Sequence, residues 1–425
     1  MTGFLDKNEV LHADDVSLHD IAAKAGTPSY IYSASKITDT VTRLKQAFAE
    51  TVPADRQPLI TFACKANSNV AVLRLMGSLG LGTDIVSGGE MARALAAGID
   101  PQKIVFSGVG KTDEEITDAL NSGILQINVE SRPELERIAY IAEKMGKVAP
   151  VVFRINPDVD AGTHAKITTG KAENKFGIPR NEILPLYEWA TKNPHLKPRG
   201  FSQHIGSQLT NLAPFRAAFT KLAALVEQVR AKGMEIESLD LGGGLGVIYK
   251  DETPPDLKQY AEIIHEILYP LNTQIILEPG RLLVAEAGVL LSRVIYVKEG
   301  ENKRYLILDA GMNDLMRPAL YEAWHTVRPV NSPGDAALAT YDIVGPVCET
   351  GDTFAKGRDL PDNLQAGDLV ALMTGGAYGF VMASNYNTRA LPAEVMVHGT
   401  KTAIIRPRDT IQAILDKDVI PDWLD

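Results

Sequence analysis

The chain has 425 residues and a formal net charge of −10; 45% of its residues are hydrophobic and 23% are charged. A chain of this length can bury a large core, and we expect two domains. Because the chain is acidic and has no Lys/Arg-rich run, neither nucleic acid nor a membrane surface is an expected partner. The composition favours a small-molecule partner.

The two cysteines, Cys64 and Cys348, are too few for a disulfide framework, and the N-terminus lacks the apolar run of a secretion signal. We therefore expect a cytoplasmic protein. No stretch approaches the roughly 18 consecutive apolar residues of a membrane-spanning helix. No metal site is predicted.

Short apolar runs alternate with amphipathic stretches along the first two thirds of the chain. The first run, TPSYIYSAS at 27–35, precedes the first helix and could join either domain. The next eight predicted strands lie at 58–64, 81–87, 103–109, 125–131, 150–156, 198–206, 238–244 and 274–280. Strands that alternate with helices indicate a parallel sheet, and eight repeats favour a TIM (β/α)8 barrel over a doubly wound open sheet.

After residue 287 the pattern changes to closely spaced β-type runs separated by Gly, Pro and Asp, beginning with GVLLSRVIYVKEG at 288–300. This pattern is typical of an antiparallel β domain. The predicted fold class is α/β: a barrel domain at 33–286, and a β-rich domain formed by 1–32 and 287–425.

Polar side chains recur at the ends of the predicted barrel strands. In a TIM barrel these ends converge on one mouth, where active sites lie. The residues in question are Lys65, Asp84, Ser107, Asn128, Glu130, Arg154, Asn156, His204, Ser207, Glu278 and Arg281, and the same strand ends include the glycines Gly242, Gly243 and Gly244.

Lys65 and the glycines of DLGGGLG at 240–246 together suggest a cofactor. A lysine desolvated in a barrel mouth could act as a neutral amine that forms a Schiff base, and adjacent glycines let the backbone approach a phosphate. Pyridoxal phosphate (PLP) needs both groups. Alone, each has an ordinary interpretation, a surface lysine or a tight turn.

Three further strand-end residues have two interpretations each. Glu278 in LEPGR could keep a pyridine nitrogen protonated or pair with Arg281. His204 could stack on a cofactor ring or be a core histidine. Asp84 could orient Lys65 or cap a helix.

Eight motifs in chain order carry a family resemblance: FACKANSN, TDIVSGGE, QHIGSQ, DLGGGLG, EPGR, MRPALY, GPVCETGD and GAYG. Together they closely resemble the diaminopimelate decarboxylases, which are fold type III, alanine-racemase-like PLP enzymes. The resemblance spans nearly the whole chain and implies PLP-dependent decarboxylation of meso-2,6-diaminopimelate to L-lysine and CO₂. It also implies a homodimer whose active sites are completed across the interface, with CET and its neighbours supplied by the other subunit.

The resemblance also implies residue roles. Lys65 is similar to the Schiff-base lysine, His204 to the residue stacked on the ring and Glu278 to the pyridine-nitrogen partner. The expected cofactor site is completed by Asp84, Ser207, Gly242, Gly243, Gly244, Gly280, Arg281 and Tyr378. The expected substrate contacts are Arg281, Arg317 and Tyr321 for the distal carboxylate, Glu349 for the distal ammonium, and Tyr378. Cys348 is similar to the proton donor, whereas Cys64 is expected to pack in the core.

Other functions stay open at this point. A racemase of the same fold would be expected to place an arginine at the position of Glu278. An ornithine, lysine or arginine decarboxylase has little use for the extra arginine of MRPALY, in which Arg317 and Tyr321 are four residues apart and would share a helix face. A PLP-binding regulatory protein without turnover is the alternative from another class.

Overall fold

The computed structural model describes residues 3–157, 159, 175–332 and 334–424, so the expected domain ends at residues 1 and 425 lie outside it. The chain divides into two compact units. One comprises 40–247 and 253–283, and the other comprises 1–39, 248–252 and 284–425.

The chain begins with short strands and two helices. They are β1 Phe4–Lys7, β2 Val10–Ala13, β3 Val16–Ser17, α1 Leu18–Ala25, β4 Ser29–Ser33 and α2 Ala34–Ala49. Strands β1 to β3 form an antiparallel sheet. Helix α1 begins at Leu18 because the Ser17 side chain accepts hydrogen bonds from the first backbone N–H groups.

Eight parallel strands close into a barrel, which confirms the predicted TIM fold. They are β5 Leu59–Ala63, β6 Gly82–Ile85, β7 Ile104–Phe106, β8 Gln126–Val129, β9 Ala149–Ile155, β10 Leu196–Gln203, β11 Ser238–Asp240 and β12 Gln274–Leu277. Strand β12 pairs with β5 and closes the ring. Each of the eight predicted strands corresponds to one barrel strand.

Helices follow the barrel strands. They are α3 Val70–Ser78, α4 Gly88–Ala96, α5 Asp113–Ser122, α6 Arg132–Met145, α7 Arg180–Lys192, α8 Ala213–Arg230, α9 Leu257–Leu268 and the short α10 Arg281–Val284. The local sequence sets several ends: Thr112 and Glu115 form a capping box at α5, and left-handed Gly123 and Gly146 end α5 and α6.

The remaining strands belong to the second unit. They are β13 Gly288–Glu299, β14 Arg304–Leu308, β15 Val327–Pro329, β16 Leu338–Val344, β17 Thr353–Pro361, β18 Leu369–Leu372, β19 Ala393–His398 and β20 Lys401–Arg406, with helices α11 Arg317–Tyr321 and α12 Ile411–Leu415. The sheet order is β17-β16-β14-β13-β4-β19-β20, with β18 also on β13.

This sheet is mixed, so the expectation of a purely antiparallel domain was wrong in part. Strands β14 and β16 pair in parallel, as do β4 and β19. Parallel pairs need long crossover connections, and the chain supplies them between β14 and β16 and between β4 and β19. The segment TPSYIYSAS joins the β-rich unit, because β4 pairs with β13 and β19.

Among the residues that the structure describes, no helix is long and apolar enough to span a bilayer. Within the same residues, no group of three or more His, Cys, Asp and Glu side chains is arranged to hold a metal ion.

Candidate active site

A cavity of about 440 Å³ opens where the barrel strands end. Lys65, His204 and Glu278 line it, together with Ser107, Asn128 and Arg154. The barrel therefore brings the strand-end residues of β5, β10 and β12 around one space, as the strand register predicts. Its size lies in the range of roughly 300–1,000 Å³ that small-molecule sites occupy.

Lys65 follows β5 in a single 3₁₀ turn, Cys64–Ala66. Its Nζ lies 2.7 Å from Oδ2 of Asp84, a fully buried residue of β6. The lysine side chain is 41% exposed, so an ion pair, not the expected desolvation, defines its surroundings. Asp84 orients Lys65 and caps no helix, since Ser87 is the N-cap of α4.

Glu278 follows β12 and hydrogen-bonds Asp240, the last residue of β11. Two carboxylates form such a bond only if one carries a proton. Burial, together with the nearby charges of Asp240 and Asp84, raises the pKa of Glu278 well above its usual value. The other Glu278 oxygen, Oε1, is buried without a hydrogen-bond partner among the described residues.

Three N–H groups place the shared proton on Glu278. Asp240 accepts from Asn128 Nδ2 at 3.1 Å, from Gln126 Nε2 at 3.4 Å and from the Gly242 amide at 3.1 Å. These donors stabilise Asp240 as the carboxylate, although burial raises its pKa to about 6. Asp240 and Gln126 were not predicted from the sequence, because their roles depend on which barrel strands are neighbours.

His204 is neutral. Burial and the charges of Arg154 and Lys65 lower its pKa to about 3. Its Nδ1 accepts a hydrogen bond from the Gly243 amide at 3.3 Å, so the ring proton lies on Nε2. A neutral imidazole at the cavity wall can lie against an aromatic ring without carrying charge there.

The glycines after β11 leave no room for side chains. A Cβ on Gly243 would lie 2.4 Å from the backbone oxygen of Glu278, and one on Gly244 would lie 2.7 Å from that of Gly206. Gly242 and Gly244 also have positive φ angles of 66° and 114°. The backbone here is therefore bare, as a phosphate-binding turn requires.

Two other predicted cofactor residues are in contact. The Arg281 guanidinium donates from Nη2 to Ser207 Oγ at 3.0 Å, and the Arg281 side chain is buried. Gly280 precedes it and packs closely on Ala63, where an added Cβ would lie 3.0 Å from the Ala63 Cβ. This packing draws the EPGR turn against the end of β5.

Glu130 ties together loops at the cavity. Its Oε1 accepts from Arg154 Nη1 at 2.6 Å and from the Gly108 amide at 3.3 Å, and its Oε2 accepts from the Gly177 amide at 2.9 Å. Arg154 also lies over the Phe176 ring, 4.6 Å from its centroid. Glu130 thus holds cavity-lining segments in place.

In the β-rich unit, Arg317 and Tyr321 are the first and last residues of α11, as their spacing predicted. The Arg317 side chain is buried, and its Nη1 lies 2.8 Å from Nε2 of His325. The guanidinium also lies over the Tyr249 ring, 4.5 Å from the centroid. His325 and Tyr249 were missed from the sequence.

Cys348 and Glu349 lie in an exposed turn that Asp352 shapes. The Asp352 carboxylate accepts from the Val347 amide and from the Met312 amide, both at 2.6 Å. Glu349 hydrogen-bonds Tyr386. The two cysteines differ in environment: Cys348 is exposed, whereas Cys64 is buried.

Tyr378 is the remaining predicted residue. It is half-buried and adopts a positive φ of 55°, which costs a non-glycine residue about 1 kcal/mol. The structure around the GAYG turn therefore overrides the backbone preference of Tyr378 and sets the direction of its side chain.

The residues at the barrel mouth fit PLP. The Glu278 carboxyl, whose buried Oε1 has no hydrogen-bond partner among the described residues, suits a ring nitrogen that must stay protonated. Lys65 suits the aldehyde, and the bare Gly242–Gly244 backbone suits the phosphate.

Residues 35–285 match the family model of the pyridoxal-dependent decarboxylases, pyridoxal-binding domain. Fold, site and family model thus define a pyridoxal-dependent decarboxylase. A diaminopimelate decarboxylase of Zymomonas mobilis is 48% identical over 426 residues, covering 100% of both chains. That of Pseudomonas aeruginosa is 50% identical over 414 residues, 97% of this chain and 98% of the relative.

A solved diaminopimelate decarboxylase from M. jannaschii, in complex with L-lysine, is 37% identical with a TM-score of 0.94, and the match covers 100% of both chains. The chain belongs to the diaminopimelate decarboxylase family. The resemblance inferred from the eight motifs is therefore confirmed.

Proposed function

We propose that this chain decarboxylates meso-2,6-diaminopimelate to L-lysine and CO₂ with PLP as cofactor, the last step of lysine biosynthesis. The observation that carries this proposal is one barrel cavity lined by Lys65 and Glu278, in a chain of the diaminopimelate decarboxylase family. The decarboxylated carbon is the D-configured centre.

Bound PLP supplies a sink for the electron pair that the departing CO₂ leaves behind. Glu278 would hold a proton at the ring nitrogen, with Asp240 beside it as the carboxylate. Lys65 would hold PLP through Nζ, and Asp84, whose Oδ2 lies 2.7 Å from that atom, would hold the lysine ammonium when Lys65 is not engaged. His204, neutral in this pocket, would stack on the ring.

Cys348 completes the reaction by donating its Sγ proton to the carbon that lost CO₂. The thiolate then regains a proton from solvent. Cys64 has no such role, because it is buried and burial raises its pKa.

The substrate carries an amino acid at both ends, and the proposal assigns a group to each charge. Arg281, Arg317 and Tyr321 bind the distal carboxylate, for which arginine offers bidentate hydrogen bonds. Glu349 receives the distal ammonium, and Tyr378 contacts both cofactor and substrate. Ser207, Gly242, Gly243, Gly244 and the backbone of Gly280 and Arg281 hold the phosphate.

The domain roles follow. Residues 33–286 form the cofactor-binding domain, and 1–32 with 287–425 supply substrate contacts and a dimer interface. The protein works as a homodimer in the cytoplasm, with Cys348 and Glu349 reaching the partner's cofactor.

Mixing Lys65→Ala and Cys348→Ala subunits tests this arrangement. If sites are shared, each mixed dimer has one intact site, and random pairing makes half of the dimers mixed, so about a quarter of wild-type activity returns. Recovery of no activity would exclude shared sites.

The function itself is tested with purified, PLP-loaded protein incubated separately with meso-diaminopimelate, L-ornithine and L-lysine. We expect L-lysine from the first substrate and neither putrescine nor cadaverine from the others. Putrescine or cadaverine as main product would assign the chain to a basic amino-acid decarboxylase, and no product from any substrate would indicate a non-catalytic role.

A further inference from the structure

Arg317 contacts two uncharged groups of its own unit. Its Nη1 lies 2.8 Å from Nε2 of His325, and its guanidinium carbon lies 4.5 Å from the Tyr249 ring centroid. Neither contact cancels the positive charge of the guanidinium. Only 7% of Arg317 and 1% of His325 are exposed, so both groups are held away from bulk water.

Hydrogen bonds at both ring nitrogens of His325 define its tautomer. Nδ1 lies 2.8 Å from the backbone oxygen of Met373, and a carbonyl oxygen can only accept, so Nδ1 carries the proton. A guanidinium can only donate, so Nε2 accepts from Arg317. His325 is therefore a neutral imidazole with its Nε2 lone pair facing the arginine.

Tyr249 supports this pair from the side. Its ring meets that of His325 edge to face at 5.5 Å between centroids, and its backbone oxygen accepts from Thr326 Oγ1 at 3.2 Å. A planar guanidinium has its five N–H donors in a fixed arrangement. Fixing one donor on His325 and the plane on Tyr249 therefore fixes the directions of the remaining donors.

We propose that His325 is a positioning residue that aims Arg317 at the distal carboxylate of the substrate and so helps to select substrates that carry one. This inference rests on the proposed function. His325 touches the arginine and acts through it, and its uncharged acceptor does not itself neutralise the positive charge of the guanidinium. An aspartate or glutamate in its place would neutralise that charge.

Two substitutions separate the two hydrogen bonds. His325→Asn keeps a donor for the Met373 oxygen at the Nδ1 position and removes the acceptor for Arg317. His325→Gln places an amide oxygen near the Nε2 position and keeps that acceptor. His12→Asn is the control, because His12 lies in the same unit and its Nδ1 also bonds a backbone carbonyl, that of Val10 at 2.9 Å.

The measurement compares the affinity of each PLP-loaded variant for L-lysine with its affinity for cadaverine, which lacks the carboxylate. We expect the preference for L-lysine over cadaverine to be about tenfold or more lower in His325→Asn than in wild type. A fall of this size corresponds to the loss of one charge-assisted hydrogen bond. The preference stays within about threefold of wild type in His325→Gln and His12→Asn. In steady-state assays, His325→Asn raises KM for meso-diaminopimelate far more than it lowers kcat.

An unchanged preference in His325→Asn, or an equal loss in His325→Gln, would overturn the proposal. The tautomer gives a test that needs no variant: ¹⁵N NMR of the wild-type protein must show His325 protonated at Nδ1, and a proton at Nε2 would equally refute it. If the proposed function is wrong, the wild-type protein forms no L-lysine. This outcome is distinct from every result expected for the His325 variants.

Discussion

Glu278 and Asp240 share one proton at the barrel mouth, and the three N–H groups that donate to Asp240 keep that proton on Glu278. A carboxylic acid is thus ready beside the expected ring nitrogen before the cofactor arrives. The two acidic side chains would therefore hold a proton at that nitrogen and stabilise the positive charge of the ring.

This pair makes stability depend on pH. The pKa of Glu278 is raised above 4.5 and that of Asp240 is raised from 3.8 to about 6, so above about pH 4 these two groups bind more protons in the folded, cofactor-free protein than in the unfolded chain. Stability from these groups is therefore greatest at low pH and is lost as the pH rises through the folded pKa values. As the pH rises, the free energy of unfolding should fall less in Asp240→Asn than in wild type. The expected difference between the two falls is roughly 1–3 kcal/mol.

Urea denaturation of cofactor-free protein between about pH 4.5 and 7.5 measures this slope. Asp118→Asn, an exposed aspartate on α5, is the control and should match wild type. A slope in Asp240→Asn as steep as that of wild type would show that the pair does not share a proton.

Lys65→Ala should abolish covalent attachment of the cofactor and lower turnover by a factor of about 10³ or more. Borohydride treatment followed by peptide mass spectrometry should place the reduced cofactor on the peptide with Lys65 in wild-type protein. Lys258→Ala, an exposed lysine on α9, should leave this label in place, and a label on another lysine would contradict the assignment.

Gly243→Ala should weaken PLP binding by about tenfold or more. The new Cβ would lie 2.4 Å from the backbone oxygen of Glu278, so either the glycine turn or the end of β12 must move. Gly89→Ala, whose Cβ would meet only the Ser87 side chain at 3.8 Å, is the matched control. Equal PLP affinities in the two variants would show that the cofactor does not use this turn.

Cys348→Ala should lower kcat by a factor of about 10²–10⁴, the usual contribution of a positioned proton donor, with little change in KM. Reaction in D₂O reports the same step, because the variant should add deuterium to the product carbon with less stereochemical control. Unchanged kcat would exclude Cys348 as the donor. Cys64→Ala should retain most of the wild-type kcat.

Local patterns in the sequence determined much of the fold and part of the site. The alternation of apolar runs and amphipathic stretches predicted all eight barrel strands, because strands buried on both faces read as short continuous apolar runs, whereas the helices around them have a period of 3.6 residues. Since parallel strands end at the same edge, the same pattern grouped Lys65, His204 and Glu278 at one mouth. The two ends of α5 also depend on local sequence, at the N-cap Thr112 and the C-cap Gly123.

Only the tertiary structure decided which distant residues touch. The bond between Asp240 and Glu278 and the raised pKa values depend on burial within the closed barrel. The contact of His325 with Arg317 depends on how the segment after α11 folds back. The parallel pairs of the mixed sheet depend on crossover connections. The periodicity of a sequence indicates which residues of a helix or strand are buried. It does not indicate which distant residue each of them contacts, because tertiary packing decides that.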